Sequence, residues 1–407
     1  MASFKYQLSN RIGPVTVEDY RRLARRRIPD MVWSYVDHGA EDQKTLLANR
    51  AAFDRYAFRR RVLTGNEATD LSTTVGGQRL DLPVLLAPLG SVGLSHWTGE
   101  RGAAQAAERA GTVSIVSTAS TYSFEEVAAA TERDHFVQLY PWADPRSGRH
   151  DLTLALIERA RRAGYGAMFV TVDVAVPGNR EVEKRLGMGH PPIMTPGRVL
   201  NAAVKPRWWW NFMRYRRMSL RNLTEAAGAR AAVDSVGAQL RMMRAELNWD
   251  DFAWVREQWK GPLFIKGVVD ADDAERAVDL GADGVVVSNH GGRQLDGDVA
   301  TLDALPAIAA RVGGRAEVLL DGGIRRGSDV VKALCLGAKA VCIGRPYVYG
   351  LGAAGPAGAE HVVRILREEI ARVMTLIGVA DLKELEPGLL LRAGEPVPVR
   401  ALSPPPG

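Results

Sequence analysis

The stretch Gly-Val-Val-Val-Ser-Asn-His-Gly-Gly-Arg-Gln-Leu-Asp at 284–296 sets a base and a cation at the end of an apolar, β-branched run. The run reads as a buried parallel strand. It would deliver His290 to the carboxyl edge of a sheet, with Arg293 three residues further on. Glycines 291 and 292 let the backbone turn tightly and let a ligand come close. A lone histidine after a strand is commonly a packed or surface residue. His-Gly-Gly-Arg is a stronger signal: a proton acceptor and an anion clamp on one rim. A histidine that becomes an imidazolium needs a carboxylate to steady it, and Asp173 is the candidate.

Elements able to position these groups run through the middle of the chain. Strand-like runs fall at 84–88, 113–117, 136–140, 167–173, 263–267, 284–290, 317–323 and 340–345. Helical patterns fit between them at 100–110, 123–130, 151–163, 271–280, 303–312 and 328–336. Eight such β units describe an α/β fold, a closed (β/α)8 TIM barrel. An open doubly wound sheet is the alternative; the count of eight and the lack of Gly-x-Gly-x-x-Gly after the first strand argue against it. The expected division is a helical cap over 1–75, a barrel over 76–388 and a tail over 389–407. Within the barrel, 177–248 is an insertion after the fourth strand, far too long for a βα loop. The tail ends in Ser-Pro-Pro-Pro-Gly and is expected to be disordered at its tip.

In such a barrel chemistry sits where the strands end. Those ends offer Pro88, Leu89 and Gly90, then Ser117, Gln138, Tyr140, Thr171 and Asp173, then Lys266, Ser288, Asp321 and Arg345. The turns Asp-Gly-Gly-Ile-Arg-Arg-Gly at 321–327 and Ile-Gly-Arg at 343–345 pair glycines with cations after strands seven and eight. That is where these barrels usually hold phosphate, on backbone N–H groups at a helix N-terminus. A phosphate-bearing ligand is therefore expected across the mouth. Ser117, Gln138, Thr171 and Ser288 suit a polar heterocycle. Lys266 would stabilise a flavin ring that gains electrons near one edge; a structural ion pair is its other reading. Arg180 and Arg293, with Tyr35 and Tyr140, would fix a carboxylate and a neighbouring hydroxyl.

Composition allows all this without demanding it. The 407 residues are 46% hydrophobic and 25% charged, enough for a large core. The net charge of +6 permits attraction to an anionic surface without establishing it. Cys335 and Cys342 lie in apolar runs and read as buried thiols, and no His/Cys spacing suggests a metal. The first residues show no secretory h-region, and no window is apolar enough to span a membrane. Residues 205–217 carry five cations, five aromatics and no acid. That suits a membrane interface, or a loop packed over the barrel or at a subunit contact. Nucleic-acid binding would leave His290, Asp173 and Lys266 without a task.

The sequence resembles the FMN-dependent L-2-hydroxyacid oxidases and dehydrogenases over roughly 15–385. The motif at 288–296 carries the likeness, supported by Gly-Ala-Glu-Asp at 39–42, Gln-Leu-Tyr at 138–140, Thr-Val-Asp at 171–173, Ile-Lys-Gly at 265–267, Asp-Gly-Gly at 321–323 and Ile-Gly-Arg at 343–345. The resemblance implies His290 as active-site base with Asp173 as its partner. It implies Arg293, Arg180 and Tyr35 on the substrate carboxylate and Tyr140 on the hydroxyl side. Lys266 would sit by the flavin N1–O2 edge, with Ser117, Gln138, Thr171 and Ser288 on the ring system. Asp321 would meet the ribityl chain, and Gly323, Arg325, Gly344 and Arg345 the phosphate. The implied reaction oxidises an L-2-hydroxy acid to the 2-oxo acid as FMN is reduced; His290 serves a hydride or a carbanion route alike.

Three departures shape the expectation. Ala119 stands where glycolate oxidase has Trp, which opens the pocket to larger acids, lactate or mandelate. Gly90 stands where oxidases tend to carry Ala, which favours a quinone or protein acceptor over O2. His-Trp-Thr-Gly-Glu at 96–100 replaces the usual His-Pro-Glu-Gly-Glu and has no functional account at this level. The basic, Trp-rich segment at 205–221 resembles one that meets the membrane in the bacterial lactate and mandelate enzymes. A cytoplasmic homotetramer, peripheral on the inner face of the membrane, is the implied setting. The alternatives are an O2-using oxidase, or a relative acting on a peptide-derived or biosynthetic 2-hydroxy or 2-amino acid.

Overall fold

The computed structural model describes residues 13–65, 69–142, 150–189, 192–217, 219–223 and 247–394. The expectations for the first twelve residues, the Pro-rich tip and residues 224–246 of the insertion lie outside them.

The chain opens with α1 (Val17–Arg27), α2 (Asp30–Asp37) and α3 (Lys44–Asp54). Thr16 and Asp19 cap each other's backbone N–H groups at the start of α1. The helix stops at Ile28, which is extended because Pro29 follows. Short strands β1 (Tyr56–Phe58), β2 (Thr73–Val75) and β3 (Gln78–Leu80) come next, the last two as a hairpin.

Eight parallel strands then alternate with helices. They are β4 (Val84–Leu86), β5 (Ile115–Ser117), β6 (Phe136–Leu139), β7 (Ala167–Thr171), β8 (Leu263–Val268), β9 (Gly284–Val287), β10 (Glu317–Asp321) and β11 (Ala340–Ile343). Each of β5 to β10 pairs with the next strand, and β11 pairs with β4 through Val341 and Val84. A parallel bridge between Leu86 and Ser114 completes the ring. The sheet is therefore a barrel and not an open doubly wound sheet.

The connecting helices are α4 (Gly99–Arg109), α5 (Phe124–Ala128) and α6 (Asp151–Arg162). Between β7 and β8 lie α7 (Glu181–Arg185), α8 (Pro196–Ala203), α9 (Pro206–Tyr215) and α10 (Trp249–Gln258). Then come α11 (Ala271–Asp279), α12 (Thr301–Val312), α13 (Gly327–Cys335) and α14 (Arg345–Ile377). α14 breaks at Ala354 and Gly355 just before Pro356, whose ring has no N–H to continue the ladder. From within the expected tail, β12 (Leu390–Arg392) returns to pair with β1.

The strands end sooner than their apolar runs suggest. β9 stops at Val287 because Ser288 Oγ accepts the His290 N–H at 3.1 Å and His290 turns into the left-handed region, φ 59°. Inside the barrel, Phe169 stacks on Phe264 at 4.5 Å, with Phe136 and Cys342 in the same cluster. The hairpin closes the barrel floor: a Cβ at Gly76 would lie 3.2–3.4 Å from Ala167, Phe136 and Phe264. Both cysteines are free and buried. Among the described residues no helix is long and apolar enough to cross a membrane.

Candidate active site

At the other end of the barrel a cavity of about 210 Å³ opens among the strand termini. His290, Lys266, Tyr35, Tyr140, Arg180, Arg293 and Ala119 line it, together with Pro88, Leu89, Gly90, Asp321, Gly323, Arg325, Gly344 and Arg345. Fifteen of the residues expected from sequence thus share one wall. Asp173, Ser117, Gln138, Thr171 and Ser288 stand behind it.

His290 Nδ1 lies 2.9 Å from Asp173 Oδ1. Burial pushes the Asp173 carboxyl up, but His290 and Lys266 more than offset this and hold it below the usual range. An ionised Asp173 accepts from Nδ1–H, which leaves Nε2 with the lone pair. Asp173 fits only because residue 267 is glycine: a Cβ there would lie 2.6 Å from Asp173 Cβ, and its φ is +105°.

Lys266 is buried and donates to Ser288 Oγ at 2.9 Å, while its Nζ lies 3.0 Å from Asp321 Oδ2. Burial works against its charge, but Asp321 and Asp173 raise its pKa well above the ordinary value, so an ammonium stands in the floor. The ion pair with Asp321 and a positive charge on the cavity wall are one arrangement.

Two guanidinium groups share the substrate side. Arg293 donates through Nη1 to Tyr35 O at 2.7 Å and His38 O at 2.8 Å, and through Nη2 to Glu183 Oε1 at 2.9 Å. Three of its five N–H groups are committed, leaving Nε–H and one hydrogen of Nη2 for an anion. Arg180 makes only long contacts, 3.4 Å to Arg293 O and 3.3 Å to Gln294 Oε1. Burial first, and the neighbouring Arg293 second, lower the Arg180 pKa. A second cation beside a buried one is a standing demand for a carboxylate. Tyr35 donates to Gly90 O at 2.8 Å beneath the Arg293 guanidinium, 4.9 Å above its ring.

The far end of the cavity fits a phosphate-bearing heterocyclic cofactor. Gln138 Nε2, Thr171 Oγ1, Asp321 Oδ1, Arg325 Nε and Arg345 Nε are buried without a protein partner. Orphaned buried donors and acceptors are costly unless a ligand completes them. All five belong to residues expected on the flavin. Burial drives the Arg345 pKa down to about 10, a penalty that an anion beside it would relieve.

Sequence reasoning missed Glu183, which α7 inserts against Arg293, and Asn49, which exchanges amide hydrogen bonds with Asn289 at 2.8 and 2.9 Å and ties α3 to the end of β9. Nothing in the pattern of α7 marks Glu183 as a buried acid. Asn289 sits inside the motif itself, and its partner could have been sought among the polar residues of the first helices.

Comparison with known proteins places the whole chain in one family. The model of the FMN-dependent dehydrogenase family matches residues 24–392. The chain is 42% identical to an L-lactate oxidase of Nostoc sp., covering 93% of this chain and 98% of that protein. It is also 42% identical to an L-lactate dehydrogenase of Caulobacter vibrioides, over 91% of this chain and 96% of that one. The solved structure of a monotopic membrane protein, (S)-mandelate dehydrogenase, superposes with a TM-score of 0.89 at 35% identity, covering 94% of this chain and 100% of that chain. The chain belongs to the FMN-dependent dehydrogenase family. It is an FMN-dependent oxidoreductase of L-2-hydroxy acids.

Proposed function

We propose that this enzyme oxidises a lactate- or mandelate-like L-2-hydroxy acid and passes the electrons to a quinone. The observation that carries the reading is the meeting of His290, Arg180, Arg293, Tyr35, Tyr140 and Ala119 on the cavity that also holds Lys266 and Arg345. Lactate enzymes among the relatives and a mandelate enzyme among the structures bracket the acid.

Bound FMN supplies a two-electron acceptor beside the acid. Gln138, Thr171, Ser288 and Asp321 would hold it, with Ser117 positioning the amide of Gln138 through a 2.7 Å hydrogen bond. Gly323, Arg325, Gly344 and Arg345 would hold its phosphate. Arg180 and the open edge of Arg293 bind the substrate carboxylate, which fixes the 2-carbon over the floor. His290 Nε2 takes the proton, and Asp173 stabilises the imidazolium that results. Tyr140 has its pKa pushed well up by burial and beside Asp173, so it stays a neutral donor toward the substrate oxygen. Lys266 keeps a positive charge where electron density accumulates. Ala119 leaves room for the substrate side chain.

The quinone reading draws support from the insertion. α8, α9 and the link between them expose Val199, Leu200, Val204, Trp209, Trp210 and Met213, and Arg207 and Arg214 flank the tryptophans. Exposed tryptophan with arginine suits the headgroup level of a bilayer. The enzyme would lie on the inner face of the membrane as a homotetramer.

Anaerobic mixing with a panel of L-acids tests the substrate, and stopped-flow reoxidation tests the acceptor. Bleaching by L-lactate or L-mandelate, with quinone faster than O2, is expected. A full flavin complement that no acid of the panel bleaches would overturn the substrate reading, and O2 outpacing quinone would overturn the acceptor. Flotation with anionic vesicles, lost on Trp209→Ser with Trp210→Ser, checks the membrane contact. Light scattering checks the tetramer.

A further inference from the structure

A second cavity, of about 230 Å³, lies behind the first. Ser95 lines both, and the turn at Val92–Leu94 runs between them. That turn is fixed from three sides. Glu100, buried, accepts from Val92 N–H at 3.0 Å. Gly93 is held so closely that a Cβ would lie 2.3 Å from Thr121 Oγ1. Trp208 of α9 donates its indole N–H to Leu94 O at 2.7 Å. The partition between the cavities is thus thin, rigid and tied to the helix that displays the exposed tryptophans.

Trp97, Trp208 and Phe212 line this second cavity, with two side-chain donors that have no partner among the described residues. Trp97 stacks on Tyr215 at 4.0 Å and 11°, and Trp208 stacks on Phe212 at 4.6 Å. His96 Nδ1 faces the Thr98 hydroxyl at 2.8 Å and the Thr98 backbone N–H at 3.3 Å; accepting from both, it places the ring hydrogen on Nε2. Burial pushes the His96 pKa down to about 4, so the ring stays neutral. Neither His96 Nε2–H nor the Asn211 side-chain amide donates to any described residue. A flat ring with carbonyl oxygens matches aromatic walls with hydrogen-bond donors.

An anionic headgroup matches less well. Arg27 gives one N–H of Nη1 to Ala353 O and keeps its other donors. Arg217 is paired with Glu126 at 3.0 Å and lies 4.0 Å over the Tyr122 ring. A phosphate held by Arg27 and the exposed Arg207 would leave the aromatic walls without a partner.

We infer that this second cavity is the binding site for the quinone head, with His96 and Asn211 donating to its carbonyl oxygens and the Trp97 and Trp208 rings flanking it. The inference rests on the quinone reading given above and deepens it. It also gives a task to the Trp97 departure from the family pattern. In the net reaction the acid loses two electrons and two protons to become the 2-oxo acid. The Val92–Leu94 partition would separate the quinone from the cavity that holds the acid. The quinone takes up two electrons and two protons and leaves as quinol.

The test uses full-length holoenzyme, a short-chain dimethoxy-benzoquinone and two variants, His96→Phe and Asn211→Leu. Two readouts are taken: flavin reoxidation in stopped flow, and quinone affinity by quenching of tryptophan fluorescence. Each variant is expected to bleach with L-acid at the wild-type rate within twofold. Each is expected to lose at least tenfold in reoxidation by quinone and at least tenfold in quinone affinity. If both variants match wild type in reoxidation and binding, the site is overturned while the quinone reading stands. If quinone neither binds nor reoxidises the wild-type enzyme, the acceptor reading fails and takes the site with it. Displacement of fluorescence by a soluble anionic lipid, with no response to quinone, likewise overturns the assignment.

Discussion

His290 Nδ1 and Asp173 Oδ1 meet at 2.9 Å although 117 residues separate them in the chain. The contact selects the tautomer that turns Nε2 toward the cavity. Asp173→Asn removes both the preference and the charge that steadies the imidazolium. Flavin reduction by the L-acid should fall on the order of 10²- to 10⁴-fold, while the flavin spectrum and content stay those of wild type. Anaerobic stopped flow measures this, and a loss below tenfold would remove Asp173 from the proton chemistry.

Glu183 and Arg293 form an ion pair with both side chains nearly out of solvent, 9% and 8% exposed. Glu183→Gln keeps the shape and one hydrogen bond but leaves Arg180 and Arg293 without their nearby anion. The folded state should lose on the order of 2 kcal/mol, read as a lower midpoint in urea. A dicarboxylate inhibitor such as oxalate should bind more tightly, because the cavity becomes more positive. Weaker oxalate binding would mean that Glu183 positions Arg293 more than it competes with the ligand.

Ala119 abuts Gly90, where a Cβ would lie 3.1 Å from the Ala119 Cβ. Ala119→Trp should fill the space for a substrate side chain. The ratio of kcat/KM for mandelate over lactate is expected to drop at least tenfold, the scale of one to three kcal/mol that pocket shape commonly commands. An unchanged ratio would put the substrate side chain elsewhere.

Asp37 reports on pH. Burial pushes its carboxyl up, but Arg21, donating at 2.8 and 2.7 Å, and Tyr349 more than offset this and hold it below the ordinary 3.8. Its stabilisation is therefore fully present above pH 3.8 and drains away as pH falls toward the lower folded value. Asp37→Asn should lower Tm at pH 7, with the gap to wild type narrowing as the pH drops below about 4. A gap that stays constant down to pH 3 would show that the pair does not titrate with folding.

The barrel was legible because its buried strands are unbroken apolar runs and its helices are patterned between them. The motif around His290 was legible because two glycines and an arginine after a strand serve little purpose in packing alone. The hairpin of β2 and β3 was not, since three-residue strands leave too short a pattern. α14 was missed because Gly350, Gly352, Gly355 and Pro356 look like a loop; packing against α1, α4 and α13 holds these residues in helix on either side of the break. Glu183 was illegible for a related reason. An acid in a five-residue helix looks solvated until the fold brings a buried guanidinium to it.

The hairpin tip at Gly76 stoppers the base of the barrel, so small molecules cannot cross from end to end. Among the described residues, fresh acid and spent 2-oxo acid then share the mouth of the cavity that Arg180 lines. The keto product, which keeps the same carboxylate, should slow turnover as a competitor of its own precursor.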